Sequence, residues 1–268
     1  MNKKLVSALI AVTALATAAT MNVSASKIDE IKEAGVLVMG TSADYPPYEF
    51  HTEIDGEDTI VGFDVAFAQY FEDSLGVELK IVDMNFDSLL ISLDKGDFDL
   101  VLAGMTPNEE REKVVDFTES IFNNRQVAII RTEDADTLTD VASLEGHKGT
   151  AQTGSVQMDI ANEVLGEENV VGLVKFQEMI MELKNKKVDA VFTNSLIASA
   201  YLSQNEDLTD FVLGEEYDNA KGFAAAVQKG NDDLVEFFNT CIDEMIEQGL
   251  VDQYVAEAQL LAGIDEEE

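Results

Sequence analysis

The sequence predicts an α/β protein with two similar halves, each a mostly parallel sheet flanked by helices. Three observations lead there. From residue 35 to 103, short apolar runs of strand composition alternate with amphipathic runs in the order βαβαβ, which calls for a parallel sheet covered by helices on both faces. The alternation restarts at Gln126. Finally, residues 95–101 (KGDFDLV) are echoed by 186–191 (KKVDAV). In each half a helix exits through lysine into an Asp-containing buried strand that stops at small polar residues. Two lobes built this way and facing each other would bring both strand ends to one cleft.

Residues 35–41 (GVLVMGT) read as a buried strand. Residues 42–48 (SADYPPY) follow as a stiff aromatic loop, because two prolines fix φ and push their predecessors toward extended conformations; that holds Tyr45 and Tyr48 in place. Residues 62–75 carry Phe63, Ala66, Phe67, Tyr70 and Phe71 on one helical stripe, and Gly76 ends the helix. A strand is expected at 77–82, a helix at 86–93 and a strand at 98–103. The next stretch is mixed up to Ile121. In the second half, strands are expected at 126–131, 148–152, 170–175 and 188–193, and helices at 138–144, 155–165, 177–184 and up to Leu202. Ser155 can cap one of these helices, and Asn194 or Ser195 another. Residues 222–228 return to strand. The helix at 232–248 buries Leu234, Phe237, Phe238, Cys241, Ile242, Met245 and Ile246, and a last helix covers 250–261.

The most informative run is 95–111 (KGDFDLVLAGMTPNEER). Its strand ends in Ala103 and Gly104, and Met105-Thr106-Pro107 makes the turn. Pro107 suits the first position of a helix, since its missing N–H would be unpaired there. Arg111 follows as a lone guanidinium. In open α/β sheets ligands sit at the carboxyl ends of strands. Backbone amides, a hydroxyl and an Arg fork gathered there would make a carboxylate receptor. The same run also fits an ordinary strand–turn–helix with a surface arginine. Asp97 and Asp99 read as solvated turn residues rather than a catalytic pair.

The 268 residues, 46% of them hydrophobic, suffice for one large or two medium domains with a sizeable core. A basic start (Lys3, Lys4), an apolar stretch to Thr20 and Val23-Ser24-Ala25 form a secretory leader with cleavage expected after Ala25, so the chain is expected to be exported. Net charge is −36, which excludes nucleic acid as a partner, because phosphate binding needs basic surface. Cys241 is the only cysteine, so no intramolecular disulfide can form. His51 and His147 lack metal-ligand spacing. Gly149-x4-Gly154-Ser155 lacks the lysine of a phosphate loop, and no G-x-S-x-G elbow occurs. Neither a metal nor a cofactor is expected.

Four stretches, GVLVMGTSADYPPYEF, IVGFDVAFAQYF, GDFDLVLAGMTPNEER and GFAAAVQKGNDDL, together resemble the extracytoplasmic solute-binding proteins of polar amino-acid ABC transporters. The resemblance runs from about residue 27 to 258. It implies a two-lobed Venus-flytrap fold, with lobe 1 from 26–124 and 220–268, lobe 2 from 125–219, and crossings near 122–125 and 218–221. It implies that Tyr45 and Phe86 pack against a ligand's side chain, and that Ala103, Gly104 and Thr106 meet its α-amino and carboxylate groups. Arg111 becomes the carboxylate clamp, and Gly154, Ser155 and Val156 the turn whose amides meet the same carboxylate. Gln152 stands where ligand choice varies. Two departures stand out: Ser42 and Asn194 replace acids common in relatives, the second of which pairs with the α-ammonium. With Arg111 and no carboxylate at the matched positions, a neutral polar or acidic amino acid is expected rather than lysine or arginine, although Asp44 and Glu49 beside the loop could supply charge. The expected role is a monomeric periplasmic or extracellular receptor that hands its ligand to a membrane permease. The alternatives are a cyclohexadienyl-dehydratase-like enzyme on the same fold, which would need a pocket general acid, and the binding subunit of an extracytoplasmic sensor.

Overall fold

The computed structural model describes residues 26–218 and 222–264. The leader, the end of the second crossing and the acidic tail lie outside the described residues. In order, the elements are α1 (Lys27–Ala34), β1 (Val36–Thr41), β2 (Asp44–Tyr45), β3 (Glu49–Ile54), β4 (Glu57–Val61), α2 (Phe63–Leu75), β5 (Glu78–Asp83), α3 (Leu89–Asp94), β6 (Leu100–Val101), β7 (Val115–Phe117), β8 (Gln126–Arg131), β9 (Gly149–Gln152), α4 (Val156–Leu165), β10 (Val170–Leu173), α5 (Phe176–Lys184), β11 (Ala190–Asn194), α6 (Ser195–Leu202), β12 (Leu208–Val212), β13 (Ala226–Gln228), α7 (Asp232–Glu247) and α8 (Leu250–Leu261).

Two five-stranded sheets follow one plan. The first has the order β5-β1-β6-β13-β7 and the second β10-β9-β11-β8-β12. In each, three parallel strands are followed by one that runs against them, β13 or β8, and by an edge strand, β7 or β12, that runs with them again. The chain crosses from the first sheet to the second after β7 and returns before β13. Where it crosses, the Phe223 N–H donates to the Phe122 carbonyl at 3.1 Å and the Ile121 N–H to the Phe223 carbonyl at 2.9 Å, so the outgoing and returning segments are tied side by side. In the first lobe α2 packs on α7 through stacked Phe71 and Phe238 rings, 4.3 Å between centroids.

The structure departs from the sequence expectations in seven places. A third, small sheet β2-β3-β4 follows the aromatic loop. Its hairpin turns on Asp55 (φ 55°) and Gly56 (φ 85°), the Asp-Gly pair that suits a two-residue turn with both central residues left-handed. Strand β12 was not anticipated either. The 98–103 strand is regular only over Leu100–Val101, and the 222–228 strand only over Ala226–Gln228. The 138–144 helix is a 3₁₀ turn, Val141–Leu144. Pro107 opens no α-helix: only seven residues separate it from β7, which must come back to pair with β13, and they form successive turns ending in a 3₁₀ turn at Arg111–Lys113. Asp99 is no solvated turn residue. Its carboxylate accepts the Val38 N–H at 2.8 Å and pairs with Lys27 at 2.9 Å.

Candidate functional site

The carboxyl ends of β1 and β6 in the first lobe face those of β9 and β11 in the second. Strand β8 runs antiparallel to β11, with Gln126 opposite Asn194, so Gln126 joins the same rim. Between the lobes lies a small polar cavity of about 10 Å³, lined by Tyr48, Gly104 and Thr106 on one side and Asn124, Gln126, Gln157 and Asn194 on the other. That is room for a water molecule. The lobes are therefore closed on each other.

Arg111 is buried. One guanidinium nitrogen, Nη2, donates to the Gly154 carbonyl across the cleft at 2.8 Å, and Nη1 donates to the Thr106 carbonyl. Its plane lies over the Phe86 ring, 5.4 Å from the centroid, a distance at which a cation is attracted to the ring face. Burial brings its pKa down to about 10, so it remains a cation at neutral pH. The Asn108 side chain accepts the Arg111 N–H at 2.9 Å and fixes the turn that carries it. With no helix to present it, Arg111 is held by local turns and an aromatic floor.

Tyr45 reaches across to the second lobe. Its hydroxyl lies 3.2 Å from Thr193 Oγ1 and accepts from Asn194 Nδ2 at 3.2 Å. Its ring stacks on Tyr48 at 5.5 Å and meets Phe176 edge-on at 5.7 Å. Burial holds the phenol protonated. Asp44 spans the same gap: it accepts the Phe176 N–H at 3.2 Å and lies 3.8 Å from the Lys175 ammonium. Ser42, 1% exposed, donates to the other Asp44 oxygen at 3.3 Å. Asp44 is thus already engaged by the second lobe.

Asn194 is the N-cap of α6. Its Oδ1 accepts the Leu196 and Ile197 N–H groups, each at 3.1 Å, which leaves the Nδ2 donors directed at Tyr45 and the cleft. The capping geometry decides the amide orientation, since only the oxygen can accept from two backbone amides. Ser155 caps α4, accepting the Met158 N–H at 3.1 Å, and Val156 opens that helix. Gln152 is buried with its amide toward the Val174 carbonyl at 3.4 Å. Ala103 is buried behind Gly104.

The structure thus brings Tyr45, Gly104, Thr106, Arg111, Gly154 and Asn194 to the cleft. Ser42, Ala103 and Gln152 stand behind it, and Phe86 touches the Arg111 guanidinium. Sequence reasoning missed Tyr48 as a lining residue, Asn124, whose amide donates to the Tyr48 hydroxyl, and Gln126 with Gln157, whose amides bond at 2.9 Å. A lone glutamine heading the apolar run QVAII was the available signal. Sequence reasoning also missed Asp64, which is fully buried beside Glu49. Among the described residues no cluster of three His, Cys, Asp or Glu could hold a metal ion, and no helix is long and apolar enough to cross a membrane.

Comparison with known proteins places this geometry. The model of the bacterial extracellular solute-binding proteins, family 3, matches residues 37–257. An arginine-binding extracellular protein of Bacillus subtilis is 33% identical over 215 residues, 80% of this chain and 82% of that one. A probable histidine-binding protein of Campylobacter jejuni is 28% identical over 97% of this chain and 100% of its own length. Among solved structures, an amino-acid ABC transporter substrate-binding protein of Streptococcus pneumoniae bound to L-arginine superposes with a TM-score of 0.82 at 31% identity, covering 89% of this chain and 100% of that chain. An ancestral amino-acid-binding protein, a precursor of cyclohexadienyl dehydratase, gives 0.78 at 27% identity, over 87% and 99%.

Proposed function

The chain belongs to family 3 of the bacterial extracellular solute-binding proteins, and from that premise we propose that it captures a single amino acid between its lobes and delivers it to the membrane permease of an ABC transporter. The observation that carries the reading is Arg111, a buried cation at the joint of the two lobes beside the Gly104–Thr106 turn. A ligand carboxylate would exchange the neutral carbonyl partners of that guanidinium for a charge-assisted, two-pronged pair. Tyr45, Ser155 and Val156 would close on it. Closure then reports binding, because a ligand that meets both lobes favours the state in which they touch.

We take the ligand to be a polar amino acid with a neutral or acidic side chain. The cavity lining carries amides, hydroxyls and backbone but no carboxylate, and Asp44 is already paired. Relatives named for arginine make arginine the decisive comparison. A thermal-shift screen of refolded, ligand-stripped protein should give its largest stabilisation with a neutral or acidic amino acid; a larger one with arginine or lysine overturns this choice of ligand.

Lobe boundaries at 26–124 with 220–268 and at 125–219, removal of residues 1–25, release outside the cytoplasm, action as a monomer and the permease as partner belong to the same proposal. Light scattering and secretion of the full-length chain test them. We propose no catalysis: a dehydratase would need an acid in the cavity lining, and incubation with prephenate should yield no aromatic product.

A further inference from the structure

Behind the Gly104 turn, on the side away from the cavity, sit two carboxyl groups with no exposure at all: Glu49, the first residue of β3, and Asp64, the second residue of α2. Asp64 Oδ2 accepts the Gly104 N–H at 2.7 Å. Among the described residues, Asp64 Oδ1 and both Glu49 oxygens, all buried, have no hydrogen-bond donor. The two carboxyls are within hydrogen-bonding reach of each other. Two carboxylate ions could not share that dry space, whereas one proton between them makes an O–H···O⁻ bond and satisfies the orphaned oxygens. Burial pushes Glu49 far above the usual carboxylate range, and it pushes Asp64 up to about 7. The pair therefore loses its first proton near neutral pH, and the charge that remains belongs to both groups.

The surroundings do not neutralise that charge directly. Glu49 faces Asp44 and Asp83 and the phenols of Tyr45 and Tyr48. Lys175 is spent on Asp44, and His51 lies 3.6 Å from Asp83. Among the described residues, the one direct donor to the pair is the Gly104 amide. Gly104 has φ +53°, and a Cβ there would press on the Tyr48 ring at 3.1 Å, so this turn is set between the carboxyl pair behind it and the cavity in front.

We propose that Glu49 and Asp64 are positioning residues for the cleft: a proton shared between them leaves one buried negative charge that anchors the Ala103–Gly104 peptide from behind, so that ligand affinity rises as the pair passes from two protons to one. The Gly104 N–H then donates to an anion instead of a neutral acid. The polarised peptide offers its carbonyl more strongly, and the charge lies behind a turn whose front faces the ligand. The proposal rests on the cleft reading above.

The test has two arms. Calorimetry with L-glutamine and with L-arginine, from pH 6 to 8, should show about fivefold tighter binding at pH 8 for whichever binds, the difference between a charged and a neutral hydrogen-bond acceptor. Asp64→Asn should flatten the profile at its acid value. A flat wild-type profile, or a step that survives in Asp64→Asn, overturns the proposal. The second arm needs no ligand, so failure of both amino acids to bind would count against the cleft reading alone. The Gly104 amide resonance of the free protein should shift with a midpoint near pH 7. Glu49→Gln replaces the O–H donor to Asp64 with a weaker N–H donor, and should move that midpoint toward base. An amide shift that is absent, or that Glu49→Gln leaves unmoved, overturns the sharing of the proton, whether or not Asp64→Asn folds.

Discussion

In the first lobe Asp99 donates its N–H to the Val38 carbonyl at 2.8 Å and accepts the Val38 N–H at 2.8 Å; in the second, Asp189 does the same to Lys148, at 2.7 and 3.2 Å. Both aspartates sit just ahead of the third parallel strand, after a turn with a left-handed residue, Gly96 in one case and Lys186 in the other. The motif echo in the sequence is thus one device used twice, a carboxylate that fixes the register of the central strands. Past those strands the lobes diverge. The first ends in a charged, backbone-rich rim: Arg111, the Gly104 turn and the buried acid pair. Apart from Lys175, which pairs with Asp44 across the gap, the second ends in neutral groups: Gln126, Gln157 and the caps Asn194 and Ser155. On the function proposed above, a shared scaffold would carry two different jobs, with ligand charge met on the first lobe and the second lobe completing closure.

The largest test of that division is Arg111→Ala. Removing a buried, hydrogen-bonded charge from a binding site costs about 2–5 kcal/mol or more, so amino-acid affinity should fall by roughly a hundredfold or more with the fold intact. Calorimetry alongside circular dichroism checks both halves. Unchanged affinity would move the charge-reading site off the first lobe.

The lobes should also answer pH in opposite directions. Asp64, pushed up to about 7, holds more protons folded than unfolded between about pH 4 and 7. Its contribution is complete below pH 4 and is lost as the pH rises through 7, on the order of 4 kcal/mol. Asp189 is the reverse. Burial raises its pKa, but the Lys148 N–H, Arg131 and His147 outweigh that and bring it below the usual range, so its contribution is present at neutral pH and fades in acid. Amide exchange should therefore slow in β1 and β6 as pH is lowered from 8 to 5, once corrected for intrinsic rates, and quicken in β9 and β11 below pH 4. Parallel behaviour in both sheets would contradict this.

The paired aspartates give a matched comparison. Asp189→Ala also strips one partner from Arg131, a buried guanidinium that keeps Asp134 at 2.6 Å, and should cost about 2–3 kcal/mol. Asp99→Ala, which frees only the half-buried Lys27, should cost about 1–2. Urea melts measure both.

Much of this was legible before any coordinates. Apolar runs long enough to show their period, such as Gln126–Arg131 and Asp232–Glu247, form the elements their patterns predict, and glycine and serine caps fall where capping chemistry puts them. What failed was local pattern overruled by distant pairing. Pro107 carries a helix-start signal, but β7 must return to β13. The β3–β4 hairpin hides because its strands are polar on their exposed face, leaving Asp55-Gly56 as the one strong signal. At the cleft, Arg111 stood out as a lone cation in an acidic run. Asp64 did not, because an acid in the first turn of a helix is ordinary, and nothing in one sequence says that Glu49 folds against it.

Asn194→Asp asks whether the second lobe's neutrality is functional. An aspartate would keep the cap on α6 and present a negative oxygen where Nδ2 now donates to Tyr45. Amino-acid affinity should tighten by about tenfold if the ligand's ammonium lies there, the gain from a charged over a neutral acceptor. No change would place the ammonium on the first lobe alone.

The smallest expected effect belongs to Tyr45→Phe, and it bears on closure itself. The ring contacts with Tyr48 and Phe176 would survive the substitution, while the hydroxyl's bonds to Thr193 and Asn194 would vanish. Two neutral hydrogen bonds exchanged for solvent are worth about 1–2 kcal/mol together. Both link one lobe to the other, so the loss falls on the open–closed balance instead of on either sheet. Small-angle scattering should show a more open average shape without ligand and recovery with it, while the urea midpoint stays nearly fixed. A lowered midpoint with no change in shape would mean that Tyr45 stiffens the first lobe and leaves closure to Asp44, whose bonds to Phe176 and Lys175 span the same gap.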